Sequence, residues 1–518
     1  MNEKETGSFY TPEGLVDYMV SYIRGRVTPK SILEPSAGDG RFVPALREFA
    51  ADISLAEFQE NKAKKLLDSF GMECTVYCCD FIQHSLDTEK TYDLIIGNPP
   101  YIAKKNVPEE QCESSEKVLK HFNLDKSIFQ NLWVSFVLSS LKLLTTNGSI
   151  FFVLPFEFLQ VQYAEKLRAF LETKFNTIEI ITFEERIFEE IEQDICLVYL
   201  SNEPQAKAYI QYTTFKNLTD CTPVSQSVIM RNKPLKKWSN CILNDEETER
   251  LLGLAQNYPQ VSQFGDISPG IVTGANSYFI LSKNDIQKLN VPTQNILPVI
   301  TKSSAIPPLL SFGESDFEGT FAGKHRTHML NLNGLGTEDF SINLMAYIRD
   351  GEKEKIHEGY KCQKRKRWYD VPIIRKGEAC FFRRFHVVPR IIINEAQLHT
   401  IDSIYNIRFK NEYDAASFSF CFYNSLTLAL CEYNGRFYGG GVGELVPSEF
   451  KNLRIPYKKV GNEQVKKLDE MFRNKVELSK IVDYVDAIVL NDLSLENIEV
   501  LQQIRRRYLT RRLKLKTK

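Results

Sequence analysis

DLIIGNPPYIAKK occupies Asp93 to Lys105. Its first half, Asp93-Leu94-Ile95-Ile96-Gly97, reads as a short strand buried on both faces. Asn98-Pro99-Pro100-Tyr101 then stops it. Proline gives no ladder N–H, fixes its own φ and restricts the residue before it. The product is a rigid knuckle at a strand's carboxyl end, carrying an amide side chain, backbone carbonyls and an aromatic ring. In open α/β sheets that edge is where ligands bind.

The surroundings place the strand in such a sheet. Short apolar runs at residues 32–34, 53–56, 74–78, 94–96 and 150–154 alternate with helical patterns near 12–25, 41–50, 60–69, 128–145 and 161–174. This alternation predicts βαβ units and a mainly parallel sheet. Two further strands, near 177–183 and 195–200, are close enough to form an antiparallel pair. The polar, mixed stretch 203–240 reads as a connector. Residues 241–457 lose the βαβ rhythm and predict a separate α+β domain. From Glu463 to Ile481 the apolar residues Val465, Leu468, Met471, Phe472, Val476 and Leu478 recur at helical spacing, so 458–518 reads as a helical end with a basic tail.

The chain's 518 residues predict two to four domains. Apolar content of 43% and charged content of 25% are those of a globular protein. With no apolar leader and no long apolar span, a cytoplasmic protein without membrane partners is expected. The eleven cysteines show no disulfide or zinc spacing and read as reduced core residues; no metal is expected.

Net charge is only −1, but its distribution is uneven. Between Lys361 and Arg390 the bases Lys361, Lys364, Arg365, Lys366, Arg367, Arg375, Lys376, Arg383, Arg384 and Arg390 meet only Asp370 and Glu378. The tail carries Arg505, Arg506, Arg507, Arg511, Arg512, Lys514, Lys516 and Lys518 with no acid. A basic stripe on a near-neutral chain predicts phosphate binding. Trp368, Tyr369, Phe381, Phe382 and Phe385 are interleaved with it and could pack against bases or sugars.

A second motif is Ile32-Leu33-Glu34-Pro35-Ser36-Ala37-Gly38-Asp39-Gly40-Arg41-Phe42, a strand, a small-residue loop and a helix. Gly38 and Gly40 let backbone approach a ligand, and the helix start offers free N–H groups. Neither GxGxxG nor GxxxxGK[ST] is present, which argues against dinucleotide and P-loop readings. Glu57, after the second strand, suits two ribose hydroxyls. Asp80-Phe81, ending the third, suits an adenine amino group and ring face. Together these acids describe a nucleoside site. Upstream, in Gly7-Ser8-Phe9-Tyr10-Thr11-Pro12-Glu13, Thr11 suits an N-cap and Pro12 a first helical turn; Phe9-Tyr10 needs another explanation.

Phe9-Tyr10-Thr11-Pro12, Glu34-Pro35-Ser36-Ala37-Gly38-Asp39-Gly40, Asp80-Phe81 and Asn98-Pro99-Pro100-Tyr101 together resemble the γ-class N6-adenine DNA methyltransferases of the TaqI type. The resemblance covers the first 200 residues specifically. It extends more loosely to Gly270–Asn276, Arg367-Trp368-Tyr369 and Gly439–Gly443, which look like recognition-domain segments. It implies a Rossmann-like, mainly parallel, seven-stranded sheet over 1–202, S-adenosylmethionine as cofactor, and an α+β target-recognition domain. It implies methyl transfer to N6 of an adenine flipped out of double-stranded DNA, by a monomer that is either paired with a cognate restriction endonuclease or an orphan methylase.

The same resemblance implies site residues. Phe9, Tyr10, Thr11, Glu34, Pro35, Ala37, Gly38, Gly40, Glu57, Asp80, Phe81, Asn98, Pro100 and Phe136 would bind cofactor. Asn98, Pro99, Pro100 and Tyr101 would be catalytic, with the Asn98 side chain and Pro99 carbonyl accepting from the target amino group. Tyr101 and Phe188 would stack on the target base. Lys104, Lys105, Arg365, Arg367, Trp368, Arg383, Arg384, Gly440 and Gly441 would meet DNA. Methylases of protein glutamine and ribosomal RNA share NPPY but seldom carry so large an extra domain. A non-catalytic DNA-binding partner would be expected to have lost a catalytic position, and none is lost.

Overall fold

The computed structural model describes residues 10–188, 194–202, 207–220, 222–231, 234–321 and 326–514. They form two units, one of residues 1–248, 438–440 and 513–518, the other of 249–437 and 441–512.

The first unit is built on a nine-stranded mixed sheet. Its strands are β1 (Ser31–Glu34), β2 (Asp52–Glu57), β3 (Cys74–Cys78), β4 (Tyr92–Gly97), β5 (Leu144–Pro155), β6 (Thr177–Phe183), β7 (Ile195–Ser201), β8 (Tyr209–Phe215) and β9 (Pro223–Met230), in the order 3-2-1-4-5-7-6-8-9. β1 pairs parallel with β2 through Ile32↔Ile53 and with β4 through Ile32↔Leu94, and β4 pairs parallel with β5. Leu94, Ile95 and Ile96 are fully buried, as the apolar run of a central parallel strand requires. β7 runs antiparallel between β5 and β6. Strand order reverses between β1 and β4, so the turns after these two strands emerge side by side at the edge where such sheets bind ligands.

The helices are α1 (Glu13–Ile23), α2 (Val43–Leu46), α3 (Glu60–Phe70), α4 (Phe81–Asp87), α5 (Glu109–His121), α6 (Trp133–Lys142) and α7 (Glu165–Lys174). α1 buries Leu15, Val16, Met19, Val20 and Ile23, a single apolar stripe. Periodicity missed α4 and α5, whose turns are short or polar.

Two expectations are corrected. The sheet has nine strands, not seven, because residues 209–215 and 223–230 extend it: β8 pairs parallel with β6 from Thr177↔Tyr209 to Phe183↔Phe215, and β9 pairs antiparallel with β8. The stretch 203–240 therefore carries two strands of the sheet rather than serving only as a connector. Its end is anchored too. The buried Arg168 of α7 donates to the carbonyls of Phe158, Val161 and Lys236, and Trp238 Nε1 donates to Glu172 at 2.7 Å.

The second unit holds two four-stranded sheets. One runs Gly265–Pro269, Ile404–Phe409, Ala379–Phe382, Ile391–Ile393; the other runs Ile280–Leu281, His328–Leu330, Ile296–Ile300, His399–Thr400. Helices Ala415–Phe422 and Ser425–Asn434 are buried along most of their length, and Asn462–Arg473, Leu478–Val489 and Leu495–Leu513 follow. Among the described residues no helix is long and apolar enough to cross a membrane. Described cysteines are free thiols, most of them buried.

Candidate active site

The turn after β1 carries the cofactor-type features. Gly38 (φ +59°) and Gly40 (φ +78°) both take left-handed backbone. A Cβ on Gly40 would lie 2.6 Å from Phe70 and 2.7 Å from Leu66, both on α3, so glycine is required there. The Gly38 N–H donates to Glu57 Oε2 at 2.9 Å, and the Gln59 N–H donates to Oε1 at 2.8 Å. Glu57 is thus held at the end of β2 with its carboxylate against the turn.

A cleft with about 500 Å³ of empty space opens here. Tyr10, Thr11, Glu34, Ala37, Gly38, Glu57, Asn98 and Pro100, all named from sequence, line it. Sequence reading missed Arg41 and Lys62. The Arg41 guanidinium lies 4.8 Å and Lys62 Nζ 5.2 Å from the centre of the Tyr10 ring. Arg41 is braced by Asp39 at 2.9 and 2.6 Å and by the Thr11 carbonyl, and despite partial burial this pairing holds the Asp39 carboxyl below its usual range. Phe9 lies outside the described residues.

Glu34 is almost completely buried. Burial, followed by the nearby Asp39 and Glu57, pushes its carboxyl well above the usual range. Its Oε2 has no hydrogen-bond partner among the described residues. A buried acceptor facing a cleft fits a ligand that brings a cation or a donor.

Pro35 follows Glu34 directly, and the β1 and β4 turns touch there. A Cβ on Gly97 would lie 3.5 Å from both Glu34 Cγ and Pro35 Cδ, and Ser36 Oγ donates to the Asn98 carbonyl at 3.0 Å. Asn98 Nδ2 donates to Thr11 Oγ1 at 3.3 Å. Thr11 therefore steadies the amide; the residue at the cap position of α1 is Pro12. Pro99 is buried. The Tyr101 hydroxyl donates to the Val153 carbonyl of β5 at 2.9 Å, and burial pushes its pKa well above the ordinary value.

Four other site residues are arranged differently from expectation. Asp80 caps α4, accepting from the Ile82 N–H at 3.1 Å, and also accepts from Gln111 Nε2 at 3.1 Å, both on Oδ1. Burial nevertheless raises its pKa. Phe81 and Phe136 pack on each other, centroids 5.2 Å apart, and with Asp80 they are not part of the cleft lining. Phe188 is buried in the hydrophobic core with residues of α1 and β7, not presented to a ligand. The exposed ring beside Glu57 is Phe58, at 58%, which sequence reading passed over because it follows the strand's last residue.

In the second unit, several cations expected on DNA are committed internally. Arg365 donates to the carbonyls of Val272, Thr273 and Trp368 at 2.9, 2.7 and 3.1 Å. Arg367 pairs with Asp370 at 2.7 and 2.8 Å and donates to the Leu335 carbonyl at 2.6 Å. Trp368 packs on Tyr278 and donates to Glu352 at 3.2 Å. Arg383 pairs with the buried Glu444, whereas Arg384 is exposed. In the tail, the buried Arg512 pairs with Glu432 at 2.7 and 3.0 Å and donates to the Gly441 carbonyl. Gly440 and Gly441 both have positive φ. In the first unit Lys104 lies 3.8 Å from Glu116, and Lys105 is exposed.

The sheet order and the nucleoside-type cleft at the β1/β4 reversal define a class I methyltransferase domain. Comparisons give the family. The Eco57I restriction-modification methylase family matches residues 45–188, and the C-terminal domain of type II methyltransferase M.Eco57I matches 235–490. Type II methyltransferase M.AccI of Acinetobacter calcoaceticus is 23% identical over 92% of this chain and 95% of its own. M.XamI of Xanthomonas campestris pv. amaranthicola is 22% identical over 87% and 85%. Among solved structures, the type IIL restriction-modification enzyme MmeI, in complex with DNA, aligns with a TM-score of 0.60 at 11% identity, covering 96% of this chain and 75% of its own. The chain is a restriction–modification methyltransferase similar to the Eco57I type, and its cofactor is S-adenosylmethionine.

Proposed function

We propose that the chain methylates N6 of an adenine flipped out of double-stranded DNA, at sites selected by residues 241–457. The observation that carries this reading is the shared cleft: Asn98 of the NPPY knuckle lines the same space as Gly38 and Glu57. The relatives named above, type II methyltransferases and an enzyme solved with DNA, support DNA as the substrate.

The residues fit the cofactor. Glu34 Oε2 would take the amino group of its methionine part, and Glu57 would take the ribose hydroxyls. The bound cofactor supplies a methyl group on a sulfonium. The chain supplies the geometry. N6 is a weak nucleophile because its lone pair is delocalised into the ring. The Asn98 side-chain oxygen and the Pro99 carbonyl would accept from the amino hydrogens and favour the pyramidal, more nucleophilic nitrogen. This is preorganised electrostatic stabilisation, with no strong base required. Tyr101, steadied through Val153, would stack on the flipped base.

Purified chain incubated with cofactor and duplex DNA, followed by sequencing that detects modified bases, should find N6-methyladenine at one short word. Methylation confined to RNA or to protein glutamine would overturn the reading. We further propose that the chain acts as a monomer beside a cognate endonuclease.

A further inference from the structure

The basic stretch divides into two populations. Arg365, Arg367 and Arg390 direct their guanidinium groups inward, mostly to backbone carbonyls. The lysines among them do not. Lys361, Lys364 and Lys366 are exposed. Tyr360, at the start of this segment, is 70% exposed, with Lys361 Nζ 5.7 Å and Lys364 Nζ 5.6 Å from its ring centre. The nearby acid Glu358 is turned to Lys355 at 4.0 Å.

The ground under this face is fixed. Cys362 is buried between Lys361 and Lys364. Arg365 ties the segment to the carbonyls of Val272 and Thr273. Gly274 (φ +81°) passes so close that a Cβ there would lie 2.8 Å from Lys361 Cβ. With its backbone already fixed, this segment has only side-chain freedom left to lose on binding. Its ring and three ammonium groups match the two surfaces of a nucleic-acid strand, charged phosphate and apolar sugar or base.

We propose that Tyr360, Lys361, Lys364 and Lys366 form a sequence-independent phosphate-binding face for duplex DNA, with Arg365 and Arg367 as its scaffold. This rests on DNA being the substrate. The lysines neutralise phosphates and Tyr360 packs against the sugar between them.

The test uses the full chain, a mixed-sequence duplex and a salt series. The triple variant Lys361→Gln, Lys364→Gln, Lys366→Gln should lower the slope of log affinity against log salt by about 0.9 for each lysine, roughly 2.7 in all. Its melting temperature and cofactor affinity should match wild type. Tyr360→Ala, which removes an apolar contact with a sugar, should weaken binding roughly 5- to 10-fold with the slope unchanged. An unchanged slope in the triple variant, with wild type binding normally, would overturn this inference alone. So would a large loss of thermal stability in that variant, because the lysines would then be scaffold. Wild type that binds cofactor but no duplex at any salt would overturn the DNA reading and this face with it.

Discussion

The Gly38 N–H donates to Glu57 Oε2 at 2.9 Å, joining the turn after β1 to the end of β2. The carboxylate expected to hold ribose therefore also shapes the glycine turn beside it. On the proposed reading, cofactor recognition and loop conformation would depend on the same group.

Glu57→Ala should accordingly weaken cofactor binding by more than a lost ligand contact. Charge-assisted hydrogen bonds are worth about 1–3 kcal/mol each, and Glu57→Gln, which keeps one acceptor, should fall between Ala and wild type. Calorimetric titration with S-adenosylmethionine reads this directly. Equal affinity for all three proteins would remove Glu57 from the site.

Glu34 gives a pH signature. Its folded-state pKa lies above the ordinary 4.5, chiefly through burial. The protonated carboxyl is therefore favoured by folding. This contribution is full below about pH 4.5 and is lost as pH rises from there through the raised value. Glu34→Gln should make the cofactor-free protein more stable than wild type at neutral pH while weakening cofactor binding. Melting curves across pH, with and without cofactor, check both directions.

In the proposed reaction, Asn98→Ala would remove an acceptor that matters most as N6 becomes pyramidal. Single-turnover methyl transfer should fall roughly 10²–10³-fold, with cofactor affinity largely kept. A normal rate in this variant would mean the two prolines only end a strand.

Tyr101→Phe keeps the ring but removes the donor to the Val153 carbonyl. It should cost about 1 kcal/mol of stability, and a less firmly oriented ring should reduce capture of the flipped base. Tyr101→Ala should reduce it further, since stacking is worth about 1–3 kcal/mol. Fluorescence of 2-aminopurine at the target position would rank the three proteins.

Arg365→Gln strips donors from three backbone carbonyls and should lower stability by about 1–3 kcal/mol. The melting temperature reads it. A variant as stable as wild type, with weakened DNA binding, would return Arg365 to the DNA surface.

Local chemistry was legible where covalent geometry confines it. The prolines of the knuckle and the glycines after β1 restrict the backbone to few shapes, so strand, turn and ligand edge could be read in place. The arginines were not legible in the same way. Arg365 and Arg367 look like surface cations until their acceptors are known, and those include carbonyls of residues 272, 273, 332 and 335, far along the chain. Phe188 was ambiguous for a related reason, since an aromatic near a strand's end can point either to core or to ligand. Strands β8 and β9 were missed because Gln211, Thr213, Thr214, Ser225, Gln226 and Ser227 interrupt their apolar residues, diluting the apolar signal that marked β4.

The two added strands decide where the molecule can be divided. β6 is buried along its whole length, and β8 covers one of its edges. A fragment ended at residue 202 would bare that edge, a row of unpaired backbone N–H and C=O groups of the kind that recruits strands from other chains. Exchange of recognition modules between relatives should therefore join the parts beyond β9 and the anchored Trp238. A junction placed earlier would yield aggregates whatever the grafted half can bind.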